Sequence, residues 1–444
     1  MQELVQQYAV LDTLLSNWAS VQIRIGTDEP NFHKELAGIA TRLTSVSTPD
    51  EVDMLLDDLL DLVEETPAYE YVQELIARSQ LDAGPHIKTR NTVAEALAVE
   101  PEDALNLSAG TEQTGRSLGR TIASETEPCL VKVYFATNRQ PGTSDREMFC
   151  SDPDEKLSYG IAEVTIPVGR HRIGRLEKHK WWEFLHKKDD PRRYVVLGNV
   201  NTLSQSGFTS SLASDKETSC GLLVFLHGYN VTFEDAARRA AQFAFDLQFS
   251  GRVVLFSWPS QGTIPGYAAD EERAFLSAES FSSFLLGLED GPWNNLHLLA
   301  HSMGNRVMLH GLSGSRWPNS KLEQIVFVAA DVYVDIFKQK FPKIKQFGKR
   351  YTSYISKTDH ALLLSSILHK AERIGIAKKG SPFVTEGMET IDATEVNTSL
   401  LGHGYFGDER SVITDISILI KNNIGASNRG LHQYPNKPYW NFPK

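Results

Sequence analysis

The stretch Leu296-His297-Leu298-Leu299-Ala300-His301-Ser302-Met303-Gly304 constrains this chain more than any other. Its first four residues read as a short buried strand, and Asn305-Arg306-Val307-Met308-Leu309-His310-Gly311-Leu312 read as a helix. Ser302 therefore falls on a sharp strand-to-helix turn. Such a turn holds the serine backbone in a strained conformation, so the residues two away on either side must be small. They are Ala300 and Gly304.

From about Leu130 onward, short β-rich runs alternate with helical stretches, the pattern of a mostly parallel sheet flanked by helices. The expected strands are Val131 to Thr137, Ile161 to Ile166, Tyr194 to Leu197, Leu222 to Gly228, Val253 to Pro259, Leu296 to Ala300, Gln324 to Ala330 and Tyr351 to Ser356. Thr390 to Val396 reads as the last strand, and a final helix covers Val412 to Ile420. A polar, basic insertion containing Trp181 and Trp182 interrupts the early strands.

Residues 1–100 have a different character. Leu4, Val5, Tyr8, Leu11, Leu15 and Trp18 recur at helical spacing, and Thr48-Pro49-Asp50-Glu51 has the form of a helix start. This segment carries 18 acidic against 6 basic side chains, a net charge of −12 in a chain whose total is −11. Its acidity argues against nucleic-acid binding, which needs clustered Lys and Arg. We expect a small all-helical module at 1–100, serving either as a plain bundle or as an interaction module for a protein partner or self-association. Residues 101–128 lack periodicity and are rich in Ser, Thr, Gly and Glu, so a flexible linker is expected there. The remainder, 129–444, forms the other domain. Three widely spaced cysteines (Cys129, Cys150 and Cys220) suggest neither a disulfide framework nor a metal site. No apolar window has the length of a membrane span, and the first residues lack a secretory pattern, so a cytoplasmic location is expected.

A serine nucleophile at neutral pH needs a histidine to take its proton and a carboxylate to orient that histidine. Two acids compete in the expected chain order. Asp359 follows the second strand beyond Ser302 and is favoured. Asp331 follows the first, with capping of a Val332-to-Phe337 helix as its alternative role. Of the later histidines, His360 lies too close to the acid, His369 falls on a helical run and His432 in an irregular tail. His403, between Gly402 and Gly404, is the expected base. Backbone N–H groups of Met303 and Tyr229 are the expected oxyanion donors, with Asn230 as second candidate. Asn230 and Asn138 are candidate substrate contacts, although pinning loops together is the favoured role of Thr137-Asn138-Arg139. The basic run from Lys338 to Arg350 reads as a solvated helix face or as a patch attracting anionic lipid.

The ordered motifs resemble those of the α/β-hydrolase superfamily. They are more closely similar to a mainly bacterial family of esterase/lipase-like proteins long labelled as of unknown function. The resemblance rests on Tyr134-Phe135-Ala136-Thr137-Asn138-Arg139, Phe225-Leu226-His227-Gly228-Tyr229-Asn230, Phe256-Ser257-Trp258-Pro259-Ser260, His301-Ser302-Met303-Gly304-Asn305, Asp359-His360-Ala361-Leu362 and Gly402-His403-Gly404-Tyr405-Phe406. It implies an α/β-hydrolase fold and a Ser302, Asp359, His403 triad acting on esters, without naming the substrate. The expected activity is hydrolysis of a small-molecule or lipid ester with no metal or organic cofactor. Two alternatives are a lipase or phospholipase regulated by the N-terminal helices, and an inactive scaffold used for binding. The Gly262-to-Tyr267 loop and the Trp181-Trp182 insertion are the expected pocket walls.

Overall fold

The structure is a computed structural model that describes residues 127–144, 147–174, 176, 190–214, 221–261, 267–289, 291–314, 322–357, 362, 371–377, 381–396 and 410–443, together with Val72. Apart from Val72, Glu127 and Pro128, the expected helical module and linker lie outside the described residues, as do Trp181 and Trp182. The elements below belong to one compact unit, Glu125–His179 with His186–Lys444.

Among the described residues, eleven strands make one sheet. They are β1 (Cys129–Ser144), β2 (Glu147–Ile166), β3 (Val196–Leu203), β4 (Gly221–Leu226), β5 (Arg252–Ser257), β6 (Asn295–His301), β7 (Leu322–Val328), β8 (Gly348–Ile355), β9 (Glu389–Asp392), β10 (His432–Gln433) and β11 (Trp440–Asn441). Their spatial order is β3-β2-β1-β5-β4-β6-β7-β8-β9-β11-β10. Pairing is parallel from β1 through to β11 and antiparallel only at the two margins, β1/β2/β3 and β10/β11. Every residue of β4, β5 and β7 is buried. Unbroken apolar runs such as Gly221-Leu-Leu-Val-Phe-Leu226 suit strands covered on both faces, and helices supply that cover.

On one face lie α1 (Gln205–Ser214), α3 (Tyr267–Gly287), α4 (Gly304–Gly314) and α5 (Val334–Ile344), through Phe208, Phe281, Phe284, Met308, Phe337 and Phe341. On the other lie α2 (Phe233–Asp246) and α6 (Arg410–Asn422), through Ala236, Ala237, Ala240, Phe243, Ile413, Ile416 and Leu419. Helix α2 starts where Thr232 Oγ1 accepts the Asp235 N–H at 3.2 Å, with Glu234 and Asp235 favourable beside the helix N-terminus. Four alanines on its inner face let it lie close to the sheet.

The chain runs from β4 outward to β5, then crosses back to place β6 on the other side of β4. In doubly wound sheets ligands bind beside such a reversal, at the carboxyl ends of the strands that flank it, here β4 and β6.

Several details differ from the sequence reading, and the strand expected at Tyr194 to Leu197 runs from Val196 to Leu203. The first two strands form a much longer hairpin, with register shifts near Thr137, Arg139 and Pro141. The expected Val332-to-Phe337 helix begins at Val334, its N-cap is Tyr333, and Asp331 does not cap it. Residues 330–334 instead run beside 372–375, through Gly375 N–H to Ala330 O, Ile374 N–H to Val332 O and Val334 N–H to Glu372 O. The strand expected at Thr390 to Val396 ends at Asp392, whose Oδ1 accepts the Thr394 N–H at 3.0 Å and turns the chain into a short 3-10 helix. The tail around His432 is ordered as β10 and β11 rather than irregular. Among the described residues, no helix is long and apolar enough to cross a membrane.

Candidate active site

Ser302 stands between β6 and α4 with φ +49°, a conformation few residues other than glycine adopt. It is 2 % exposed. The strain is held by a tight set of bonds. Ser302 N–H donates to Val328 O at 3.0 Å, and Ser302 O accepts from the N–H groups of Asn305 and Asp331, both at 3.2 Å. The fully buried Asn305 side chain uses both amide hydrogens here, to Ser302 O at 2.9 Å and Val328 O at 3.1 Å. Asn305 is a positioning residue that the sequence reading did not single out. Its signal was an asparagine three residues past the serine, on the first turn of the helix.

The need for small neighbours is now concrete. A Cβ at Gly304 would lie 2.3 Å from His227 O and 2.9 Å from Leu226 O, so α4 meets the end of β4 only through glycine. A Cβ at Gly228 would lie 3.0 Å from Ser302 Cβ and 3.1 Å from His301 Nδ1. The turn after β4 thus abuts the serine. Tyr229, in that turn, is half-buried and meets Tyr267 edge-on at 5.5 Å. Asn230 has φ +58°, and its N–H is engaged by Asp270 Oδ2 at 3.3 Å. Met303 is fully buried.

Asp270, buried in the first turn of α3, organises two loops. Besides Asn230 it receives Ser260 Oγ–H at 2.6 Å and Gln261 N–H at 2.8 Å. Arg139, 1 % exposed, gathers the same loops from β1. It donates to Ser257 Oγ at 3.0 Å, Ser260 O at 3.1 Å, Val231 O at 2.7 Å and Cys150 O at 3.4 Å. Burial lowers its guanidinium to about 10, which leaves it charged at neutral pH. Thr137 Oγ1 donates to Ser257 O at 2.6 Å, and Asn138 Nδ2 to Ser277 Oγ at 3.0 Å. Thr137, Asn138 and Arg139 thus tie β1 to the loops after β4 and β5 and to α3, with Asn138 buried.

Asp331 follows β7 and is buried. Its Oδ1 pairs with Arg373 Nε at 2.6 Å and Arg306 Nη2 at 3.4 Å, and its Oδ2 accepts from Tyr267 OH at 2.5 Å. Arg306 also donates Nε–H to Asp331 O at 2.6 Å and pairs with Glu271. Burial opposes its charge, but Asp331, Tyr267 and Glu271 outweigh burial and hold it above its ordinary range. The Arg373 guanidinium lies 3.6 Å from the centre of the Tyr333 ring.

Asp359, His360, His369 and His403 lie outside the described residues, as do 262–266 of the expected loop wall. His432 is exposed on β10, five strands from β6, about 24 Å at ordinary strand spacing. No set of three metal-ligating side chains occurs among the described residues.

A doubly wound sheet, with a left-handed serine at the strand-to-helix turn beside its switch point, defines an α/β hydrolase. Residues 202–422 match the family described as "Alpha/beta hydrolase of unknown function (DUF900)", which agrees with the superfamily and the family that the ordered motifs resemble. No curated protein matches it.

Proposed function

We propose that the protein is a serine hydrolase cleaving carboxylic esters through Ser302, His403 and Asp359. The observation carrying this reading is Ser302 itself. Its backbone is strained at φ +49°, it is braced by Asn305, Val328 and Asp331, and it is abutted by Gly228. A strain of this kind costs about 1–3 kcal/mol and persists where function requires it. His403 deprotonates Ser302, which attacks the ester carbonyl, and the N–H groups of Met303 and Tyr229 receive the developing oxyanion. The alcohol leaves with the proton from His403, and water, deprotonated by the same imidazole, cleaves the acyl-enzyme.

Two features support the assignments. Asp331 already receives Arg373, Arg306 and Tyr267, which favours Asp359 as the partner of His403. The Asn230 N–H is turned to Asp270, which favours Tyr229 over Asn230 as the second oxyanion donor.

A fluorophosphonate probe followed by peptide mapping tests the reading. The expected result is a single adduct on Ser302 that vanishes in Ser302→Ala, with ester turnover falling by about 10⁴ in that variant. Absence of labelling in the wild type, or labelling that survives Ser302→Ala, overturns it. A panel of short-chain esters against phospholipid vesicles then assigns the substrate class.

A further inference from the structure

His227, at the end of β4, plays no part in the reaction just described, yet it is buried in direct succession to the oxyanion turn. Its ring is stacked on Trp258, with centroids 5.2 Å apart and planes 9° from parallel. Trp258 Nε1–H donates to His227 O at 2.8 Å, and α4 presses on the same carbonyl at Gly304. The ring has no freedom to swing.

Its hydrogen bonds determine which nitrogen carries the proton. Nδ1 lies 2.8 Å from Gly228 O. A carbonyl oxygen only accepts, so Nδ1 bears hydrogen. Nε2 lies 3.2 Å from Ser257 Oγ, and that oxygen accepts Arg139 Nε–H at 3.0 Å. Facing a neutral ring whose hydrogen sits on Nδ1, the Ser257 hydroxyl gives its own O–H to Nε2 while accepting from Arg139. Burial, with the nearby Arg139 charge, keeps the imidazole neutral down to about pH 3. A neutral ring with hydrogen on Nδ1 satisfies both the Gly228 carbonyl at 2.8 Å and the Ser257 hydroxyl at 3.2 Å.

The consequence lies one atom further on. In a trans peptide the C=O and the following N–H point in opposite directions within one rigid plane. Holding Gly228 O against the imidazole therefore sets the direction of the Tyr229 N–H. This peptide belongs to the turn that abuts Ser302.

We propose that His227 is a positioning residue of the oxyanion hole: through Nδ1–H it clamps the Gly228–Tyr229 peptide, with Ser257 and Arg139 holding the required tautomer. This rests on the serine-hydrolase reading above.

The test compares matched ester and thionoester substrates. Sulfur is the weaker hydrogen-bond acceptor, so the ester-to-thionoester rate ratio reports the oxyanion donors separately from the stability of the fold. Asparagine can place an N–H near the Nδ1 position; glutamine reaches only the Nε2 position. His227→Gln is expected to lower kcat on the ester by about 10²-fold, with KM little changed and the ratio collapsing. His227→Asn is expected to restore most of both. An unchanged ratio in His227→Gln, with ester and thionoester slowed alike, overturns the proposal. Nitrogen-15 spectra of the wild-type imidazole give a second measurement that survives any folding failure of the variants. Hydrogen on Nδ1, with no titration from pH 5 to 9, is expected; hydrogen on Nε2 overturns the proposal. A wild type that neither labels at Ser302 nor turns over ester sinks the hydrolase reading and this inference with it. Labelling and turnover with an unresponsive ratio sinks the inference alone.

Discussion

At the residue scale, the informative contrast is between two aspartates that compete in the sequence for one role, with Asp359 favoured by its place after the second strand. Asp331 and Asp359 both follow strands beyond the serine. Asp331 is committed to a buried cluster with Arg373, Arg306 and Tyr267. Removing one charge from such a cluster leaves the others uncompensated, at about 3–5 kcal/mol. Asp331→Asn is accordingly expected to lower the melting temperature sharply. The remaining folded fraction should keep kcat within an order of magnitude. Asp359→Asn should do the reverse, lowering kcat by orders of magnitude at an unchanged melting temperature. Calorimetry paired with ester kinetics separates the two, and a loss of kcat in Asp331→Asn at full stability would reassign the acid. The serine and its flanking small residues were legible from spacing alone. The commitment of Asp331 was not, because Arg373 is 42 residues away and joins it only through folding.

At the element scale, the junction of β4 with α4 governs the site. Gly304 opens α4, where alanine would ordinarily favour the helix by about 1 kcal/mol. Here the added Cβ would meet His227 O at 2.3 Å, and backbone cannot move aside as a flexible side chain does. The clash outweighs the propensity. Gly304→Ala is expected to destabilise by about 1–3 kcal/mol and to lower kcat by shifting Ser302 against the Gly228 turn. Denaturant melts and initial rates check this; a variant more stable than wild type would contradict it. Most strands and helices were legible from apolar runs and periodicity, and their ends were not. The strand beginning at Glu389 stops at Asp392 because a side chain captures the Thr394 N–H, a local competition that hydrophobic pattern does not register. The tail strands β10 and β11 are two residues each, too short to carry a period.

At the scale of the whole molecule, two helical layers around the sheet bury histidines as neutral rings. Burial holds His227 at about 3 and His297 at about 4. Each takes up a proton on unfolding once the pH falls below the ordinary value near 6.5. Stability is therefore full above that pH and declines below it, by about 1.4 kcal/mol per pH unit for each ring, until the folded-state values are reached. Melting temperatures recorded from pH 7 to pH 4 are expected to fall, and His297→Phe is expected to flatten the fall. A flat profile in the wild type would contradict the neutral burial of these rings.

The sequence by itself determined the periodic elements, the order of motifs and the position of the strained serine, since each depends on residues a few places apart. Only the tertiary structure decided what surrounds that serine. The Arg139–Ser257–His227 chain, the Asp270 hub and the Asp331 cluster join residues from strands and helices far apart in the chain. Such partnerships exist once the strands have crossed over, because hydrogen bonds and ion pairs act over a few ångströms and carry no periodic trace along the polymer.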